Sequence, residues 1–432
     1  MAPQSEILDS RYSWWRLFVT WACVSIGNVS LWSSVSIMPA IEEEFDSSRA
    51  TSAIIGYSAA SLGFGLGSGL TGKAIDRFDV TPTLIASSLS LGVLYFLASI
   101  SRSLAVLGLL HFAIGTVGSV MFAPLVANVS LWFGARRGIA VATAAAGNYC
   151  AGAIWPLVLA GTLDVHGWRV VYRVLAVGVP SGIVPLSLLL RRRLPAEDMQ
   201  QANANAAQNA AEAKISPRFL QWLLSLAAVG CCVAMAMPQI HLVSLCTDLG
   251  FGTETGSRML SVLLAGGITS RLSSGFIADR LGGVKTLLLG SSLQCLGLVL
   301  YLLYLVLPER GGHTVGPLYF ISLVFGLSQG GIIPSYAVVL REFVPASEAG
   351  ARVGLVIGNS IVGMALGSWM AGWFHEISGH GKDGPDAYRA YTWAFVNSIG
   401  WNLMNVAIGV WLLRRQQVGR QGAISSEAPQ AP

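Results

Sequence analysis

The sequence predicts an all-α polytopic membrane protein, on three observations. The chain is 53% apolar and only 11% charged, whereas soluble proteins carry about 25% charged residues. The apolar residues come in runs of about 20, the length a helix needs to cross a bilayer. These runs recur on both sides of one polar insert. They lie near 15–40, 51–72, 82–100, 104–126, 138–162 and 170–190, then near 218–245, 256–278, 285–307, 316–340, 351–374 and 391–413. The expected architecture is twelve transmembrane helices as two six-helix bundles, 14–190 and 218–413. A cytoplasmic linker 191–217 joins them, with cytoplasmic tails at 1–13 and 414–432.

The first segment is polar up to Trp14-Trp15-Arg16 and then apolar, with no small-residue cleavage site after a short core, so no cleavable signal peptide is expected. Basic residues orient the chain. Arg11, Arg16, Lys73, Arg77, Arg136, Arg137, Arg191 to Arg193, Lys214, Arg218, Arg280, Lys285, Arg341, Arg352, Arg414, Arg415 and Arg420 fall on one side. A smaller set, Arg49, Arg102, Arg169, Arg173, Arg258, Arg310, Lys382 and Arg389, falls on the other. The positive-inside rule then puts both termini in the cytoplasm of a cell (inner) membrane protein. The net charge of +5 therefore reflects topology, and no nucleic-acid partner is expected. The six cysteines sit in or beside apolar runs and are expected to pack rather than to bridge or to bind metal.

The insert opens with Arg191-Arg192-Arg193 and continues rich in Ala, Gln and Asn, as a linker with room for a surface helix. The two halves echo each other. Gly72, Asp76 and Arg77 after the second run match Gly275, Asp279 and Arg280 after the eighth, both as G-x-x-x-D-R. The glycine permits close helix approach, and the acid suits a positive helix N-terminus or a neighbouring arginine. Two parallel repeats with a site at their interface near the midplane are expected.

This pair of turns on twelve spans resembles the major facilitator superfamily. The resemblance implies a carrier fold in which the two turns latch the cytoplasmic side. In the first copy Asp79, Val80 and Thr81 stand where glycine and basic residues are usual, which implies a weaker latch there. Within the superfamily the chain looks most like the monocarboxylate-porter branch and its oxalate/formate-type relatives. Ser270-Arg271 with Gly275, the run His241-Leu-Val to Asp248 and Gly250, and Trp132-Phe133-Gly-Ala-Arg136-Arg137-Gly138 carry that likeness. Such carriers keep a substrate-binding arginine at the place of Arg271. Proton-coupled members often have an acid one turn earlier, where this chain has Gly267, and some have a lysine in the first span, where it has Trp32-Ser33-Ser34. Uniport or anion exchange gains from those departures, with protons or a counter-transported anion as the coupling partner.

Arg271 is the sharpest candidate. A charge at bilayer depth costs roughly 2.5–3.5 kcal/mol and needs a partner. The apolar runs hold no acid to pair with it. A substrate carboxylate would match its two parallel N–H donors; snorkelling to the cytoplasmic interface, about 10 Å away by helix rise, is the competing reading. His111 and His241 are candidate titrating groups. Asn28, Asn128, Asn148, Tyr149, Gln239, Gln329, Tyr336 and Asn359 are candidate pathway residues, because amides at membrane depth face the bundle interior. A helix break is expected at Trp155-Pro156. Glu42-Glu43-Glu44 reads as a solvated loop, Arg169 and Arg173 as capped or solvated loop charges, and Trp14, Trp15, Trp168 and Trp401 as an interfacial belt. Gly326-x-Ser328-x-Gly330 and Gly67-x-Gly69-x-x-Gly72 match enzyme strings by chance; the second reads as close helix packing. With no P-loop or zinc spacing, no enzyme activity, cofactor or metal is expected. The implied function is transport of a small organic anion, with drug or metabolite efflux as the alternative.

Overall fold

The computed structural model describes residues 7–46, 54–307, 314–377 and 391–427, with the side chains of 419–427 and of a few scattered residues such as Glu42 left out. The outer-side cations Arg49, Arg310, Lys382 and Arg389 lie outside the described residues, as does the side chain of Glu42.

Among the described residues every regular element is helical. The order is α1 (Arg11–Gly27), α2 (Val29–Ser36), α3 (Met38–Glu44), α4 (Ala59–Phe78), α5 (Val80–Ile100), α6 (Leu104–Gly118), α7 (Ala123–Ser130), α8 (Arg137–His166) and α9 (Trp168–Leu189). Then come α10 (Ala196–Glu212), α11 (Pro217–Asp248), α12 (Gly252–Leu281), α13 (Gly283–Val306), α14 (Val315–Gln329), α15 (Ile332–Phe343), α16 (Ala349–Ile377) and α17 (Thr392–Glu427). Ten of the helical stretches are long and apolar enough to cross a membrane. The long helices α4 and α8 stand where the second and fifth runs were expected. The polar insert supplies the helix α10.

The chain divides into two compact units. Unit 1 is 1–208 with 340–361, and unit 2 is 209–339 with 362–432.

Within unit 1 the first run is not one helix. It breaks at Asn28, whose Nδ2 donates to the Val24 carbonyl at 2.8 Å and to the Met121 carbonyl at 3.2 Å. Met121 lies in the short 3₁₀ turn Ser119–Met121 that interrupts the fourth run between α6 and α7. Two breaks therefore meet, and the amide of Asn28 serves a carbonyl freed by one of them. The predicted break at Trp155-Pro156 does not occur. Helix α8 runs through Pro156, and Trp155 Nε1 ties it to the Ser25 carbonyl of α1 at 2.8 Å. A proline inside a packed bundle helix is tolerated because neighbours support it.

Close crossings use glycine. A Cβ at Gly63 or Gly67 would come within 2.0 Å or 2.5 Å of a carbonyl oxygen of α6. The G-x-G-x-x-G string is thus a packing seam, as expected.

The N-terminal segment is docked onto unit 1. Asp9 accepts from the backbone N–H groups of Gly134, Ala135 and Arg136 at 3.1, 2.9 and 3.3 Å, just before α8. Its own N–H donates to the Trp132 carbonyl at 3.1 Å. Asp9 takes φ 56°, a conformation aspartate tolerates better than most residues. Arg16 of α1 is 3% exposed. It donates to the Leu190 carbonyl at 2.8 Å, beyond the last turn of α9, and lies 4.4 Å over the Trp132 ring. A cation at that helix end complements the macrodipole.

At the far end of α9, Glu44 accepts from Trp168 Nε1 at 2.7 Å and pairs with Arg169, whose Nη1 caps the Ser99 carbonyl at 2.9 Å. This makes Arg169 a capping charge, as expected, and leaves Arg173 exposed. It corrects two other expectations. Glu44 is clamped rather than merely solvated, and Trp168 is 3% exposed rather than part of a lipid-facing belt. Trp15 does face outward, at 51% exposure.

Candidate functional site

In unit 2 the arrangement is built around Arg271. Helix α12 carries it, and α14 crosses α12 at glycine. A Cβ at Gly330 would lie 2.0 Å from the Gly267 carbonyl, and one at Gly331 would lie 2.2 Å from Ser274 Cβ. Gly330 and Gly331 also separate α14 from α15. The Gly330 carbonyl accepts from Arg271 Nε at 3.0 Å. Arg271 is 3% exposed, so the guanidinium does not snorkel to the interface. The anchor fixes the plane of the guanidinium, and a carboxylate is gripped through such a fixed fork.

Gln329, 1% exposed, precedes that break. Its Oε1 accepts from Gln239 Nε2 of α11 at 2.8 Å, while its own Nε2 is buried without a partner among the described residues. Gln239 is half-buried. His241, two residues further along α11, bonds through Nε2 to the Ser368 carbonyl at 3.2 Å. Tyr336 is placed differently. It is fully buried and donates to Asn405 Oδ1 at 2.9 Å, in a network that continues to Ser291. That network ties α15 to α17 and α13 and gives a solute no access in this structure.

Unit 1 holds the remaining candidates. Asn148 on α8 accepts from Trp32 Nε1 of α2 at 3.2 Å, and Tyr149 beside it is half-buried. Asn359 on α16 is half-buried. His111 is a packing pin. Its Nδ1 faces the Ile55 carbonyl at 3.0 Å, so Nδ1 carries the hydrogen, and its Nε2 meets the Tyr172 hydroxyl at 2.6 Å. Ile55 belongs to the π-helical turn Ile54–Ser58 that precedes α4. The histidine thus holds that turn against α6 and α9.

The first G-x-x-x-D-R turn is engaged within unit 1. Asp76 accepts from the N–H groups of Gly350 and Ala351 at 3.0 and 2.8 Å, at the N-terminus of α16. A Cβ at Gly72 would lie 2.1 Å from the Gly350 carbonyl. Arg77 is exposed and rests 5.1 Å from the Phe78 ring. In the second turn Gly275 is buried, Asp279 half-buried and Arg280 exposed.

Sequence reasoning missed Asp9, took Asn28 as a pathway amide rather than as a break, and noted Trp32 only as standing where some relatives have a lysine.

Known proteins agree with this architecture. The chain matches the Major Facilitator Superfamily profile over residues 20–315 and 274–432, and it belongs to that family of membrane transporters. It is 26% identical over 316 residues to an MFS-type transporter, pynF, of Aspergillus niger, across 71% of this chain and 68% of that one. It is 26% identical over 330 residues to monocarboxylate transporter 13 of Bos taurus, across 76% and 74%. A solved bacterial homologue of the iron transporter ferroportin, in its outward-facing state, superposes with a TM-score of 0.67 at 13% identity, covering 94% of this chain and all of that one. That last likeness concerns the fold alone.

Proposed function

We propose that this transporter is a secondary carrier moving small organic anions, monocarboxylates foremost, across the cell membrane by alternating access, with both termini cytoplasmic. The observation that carries the reading is Arg271. A guanidinium is held buried in a membrane helix and fixed in plane by a backbone carbonyl at a helix break. Helix breaks are where carriers of this kind expose backbone to solutes. The likeness to a monocarboxylate transporter supports the same class.

Gln239, Gln329, His241, Asn148, Tyr149 and Asn359 are proposed to orient the solute. The turns at Gly72, Asp76 and Arg77 and at Gly275, Asp279 and Arg280 are proposed as the conformational latch. His111, already committed to the π-turn, is left out of the coupling, and uniport or anion exchange is favoured over proton symport.

The test is thermal stabilisation of the purified carrier by a panel of carboxylates, amines and drugs, with Arg271→Gln alongside. A ligand at a hundredfold excess over its Kd stabilises by about 2.7 kcal/mol. The expected result is stabilisation by carboxylates that is lost in Arg271→Gln. Stabilisation by amines or drugs, unchanged in that variant, would make Arg271 structural and hand the assignment to efflux.

A further inference from the structure

Unit 1 contains a recognition element that the carboxylate reading does not use. Trp32 is half-buried on α2, one turn past the break at Asn28. Two constraints fix its indole. At one edge Nε1 donates to Asn148 Oδ1 at 3.2 Å. Beside it the six-membered ring lies against Gly152 of α8, where a Cβ would come within 2.7 Å of both Cε2 and Cζ2. Gly147 brings the helices together for this: a Cβ there would lie 2.9 Å from Val24 Cγ1 and 3.0 Å from the Trp21 carbonyl. Asn148 and Gly152 thus seat the Trp32 ring on α8, and Gly147 lets α1 approach beside them.

The face that presents this ring is not a lipid face. Asn148 is half-buried, and its one side-chain hydrogen bond among the described residues goes through Oδ1. Its Nδ2 would lie bare in hydrocarbon if the face met lipid, at a cost no bilayer-facing helix bears. Water or a polar solute must meet it. Trp32 and the Asn148 donor therefore share a wet surface within the membrane span.

A preordered aromatic plate with an amide donor at its edge favours planar π-systems, which stack on it without first ordering it. The geometry points to an aromatic or conjugated body for the substrate, with Trp32 as the specificity-determining residue for it. That the substrate is a carboxylate rests on the proposed function.

The experiment measures affinities of the full-length carrier for acetate, lactate, benzoate, phenylacetate, benzylamine and benzyl alcohol. It compares the wild type with Trp32→Ala, Trp32→Phe, Gly152→Ala and Arg271→Gln. The wild type is expected to bind the aromatic acids at least tenfold more tightly than the aliphatic ones. Trp32→Ala should shrink that ratio at least fivefold and Trp32→Phe should keep part of it. Gly152→Ala, which displaces the ring without changing it, should act like Trp32→Ala and guards against a variant that fails to fold. Equal binding of acetate and benzoate by the wild type, or a ratio unchanged in both Trp32→Ala and Gly152→Ala, would overturn the proposal. Benzylamine or benzyl alcohol binding as tightly as benzoate, with no loss in Arg271→Gln, would overturn its carboxylate half and leave the aromatic preference as the separate result.

Discussion

After α4, Asp79 holds φ 74° and ψ 170°; after α12, Gly282 holds φ 86° and ψ 162°. The two turns have the same backbone, and one of them makes an aspartate adopt what glycine adopts freely. Asp79 is compensated by its ion pair with Arg193 and by Thr83, whose Oγ1 donates to its carbonyl at 2.6 Å. The preceding positions differ as well. Gly72 is packed against the Gly350 carbonyl and Asp76 caps α16 within unit 1. The shared string thus encodes a turn, and partners elsewhere in each unit decide what the turn does. The first copy, which departs from the family pattern at Asp79, nevertheless holds a helix N-terminus through two hydrogen bonds.

The largest effect should come from Gly72→Val. Its Cβ would lie 2.1 Å from one backbone oxygen and 2.4 Å from the carbonyl carbon, and backbone cannot yield as a side-chain tip can. Folded yield and transport rate should both fall more than tenfold; near-normal transport would mean that the crossing can open without loss. Gly282→Ala comes next. No atom lies within 4 Å of a Cβ built there, so its cost is purely conformational, roughly 1–3 kcal/mol. Asp79→Gly should have the opposite sign. It releases the strained backbone and forfeits an exposed ion pair worth about 0–1 kcal/mol, for a net gain of about 1 kcal/mol in denaturant unfolding of the detergent-solubilised protein. Equal signs for these two substitutions would show that the turns are not conformationally equivalent.

The smallest effect is the pH dependence of Asp76, which lies beyond the expected end of the second span. Burial pushes its carboxyl up from 3.8 to about 6, against the pull of the Ala351 and Gly350 N–H groups. Because the folded value is the higher one, the folded state keeps a proton that the unfolded chain has already released between pH 3.8 and about 6. Stability contributed by this group therefore falls as pH rises through that window and is level above it. Asp76→Asn should remove the slope. Wild-type minus variant melting temperature should decrease from pH 4 to pH 6 by a small amount, since solvent reaches much of the residue. A difference that stays flat would sink the burial argument.

Much of this was legible in the chain. Runs of about 20 apolar residues announce membrane helices by length alone, and a cation inside one of them singles out Arg271. The close approach at Gly72 follows from a glycine set before an acid. Breaks were not legible where they occur. Pro156 advertised one, yet the helix continues through it, with Trp155 tied to α1. Gly27 precedes the break at Asn28, and Gly118 and Pro124 flank the Ser119–Met121 turn, but such residues also stand inside unbroken helices here; that the Asn28 amide meets the Met121 carbonyl is a tertiary fact. The same holds for Tyr336 and His111, whose residue types suit a pathway but whose partners, Asn405 and Ile55, lie on other helices.

The docking of Asp9 bears on how the protein is produced. Three backbone N–H groups converge on one carboxylate only two residues before α1 begins. An affinity tag fused directly ahead of Arg11, or a truncation starting there, would strip this clasp while sparing every membrane helix. Such a chain should express and insert, then lose thermal stability on extraction into detergent. A tag after Gln416, or a linker that leaves Ile7 to Ser13 intact, avoids that loss.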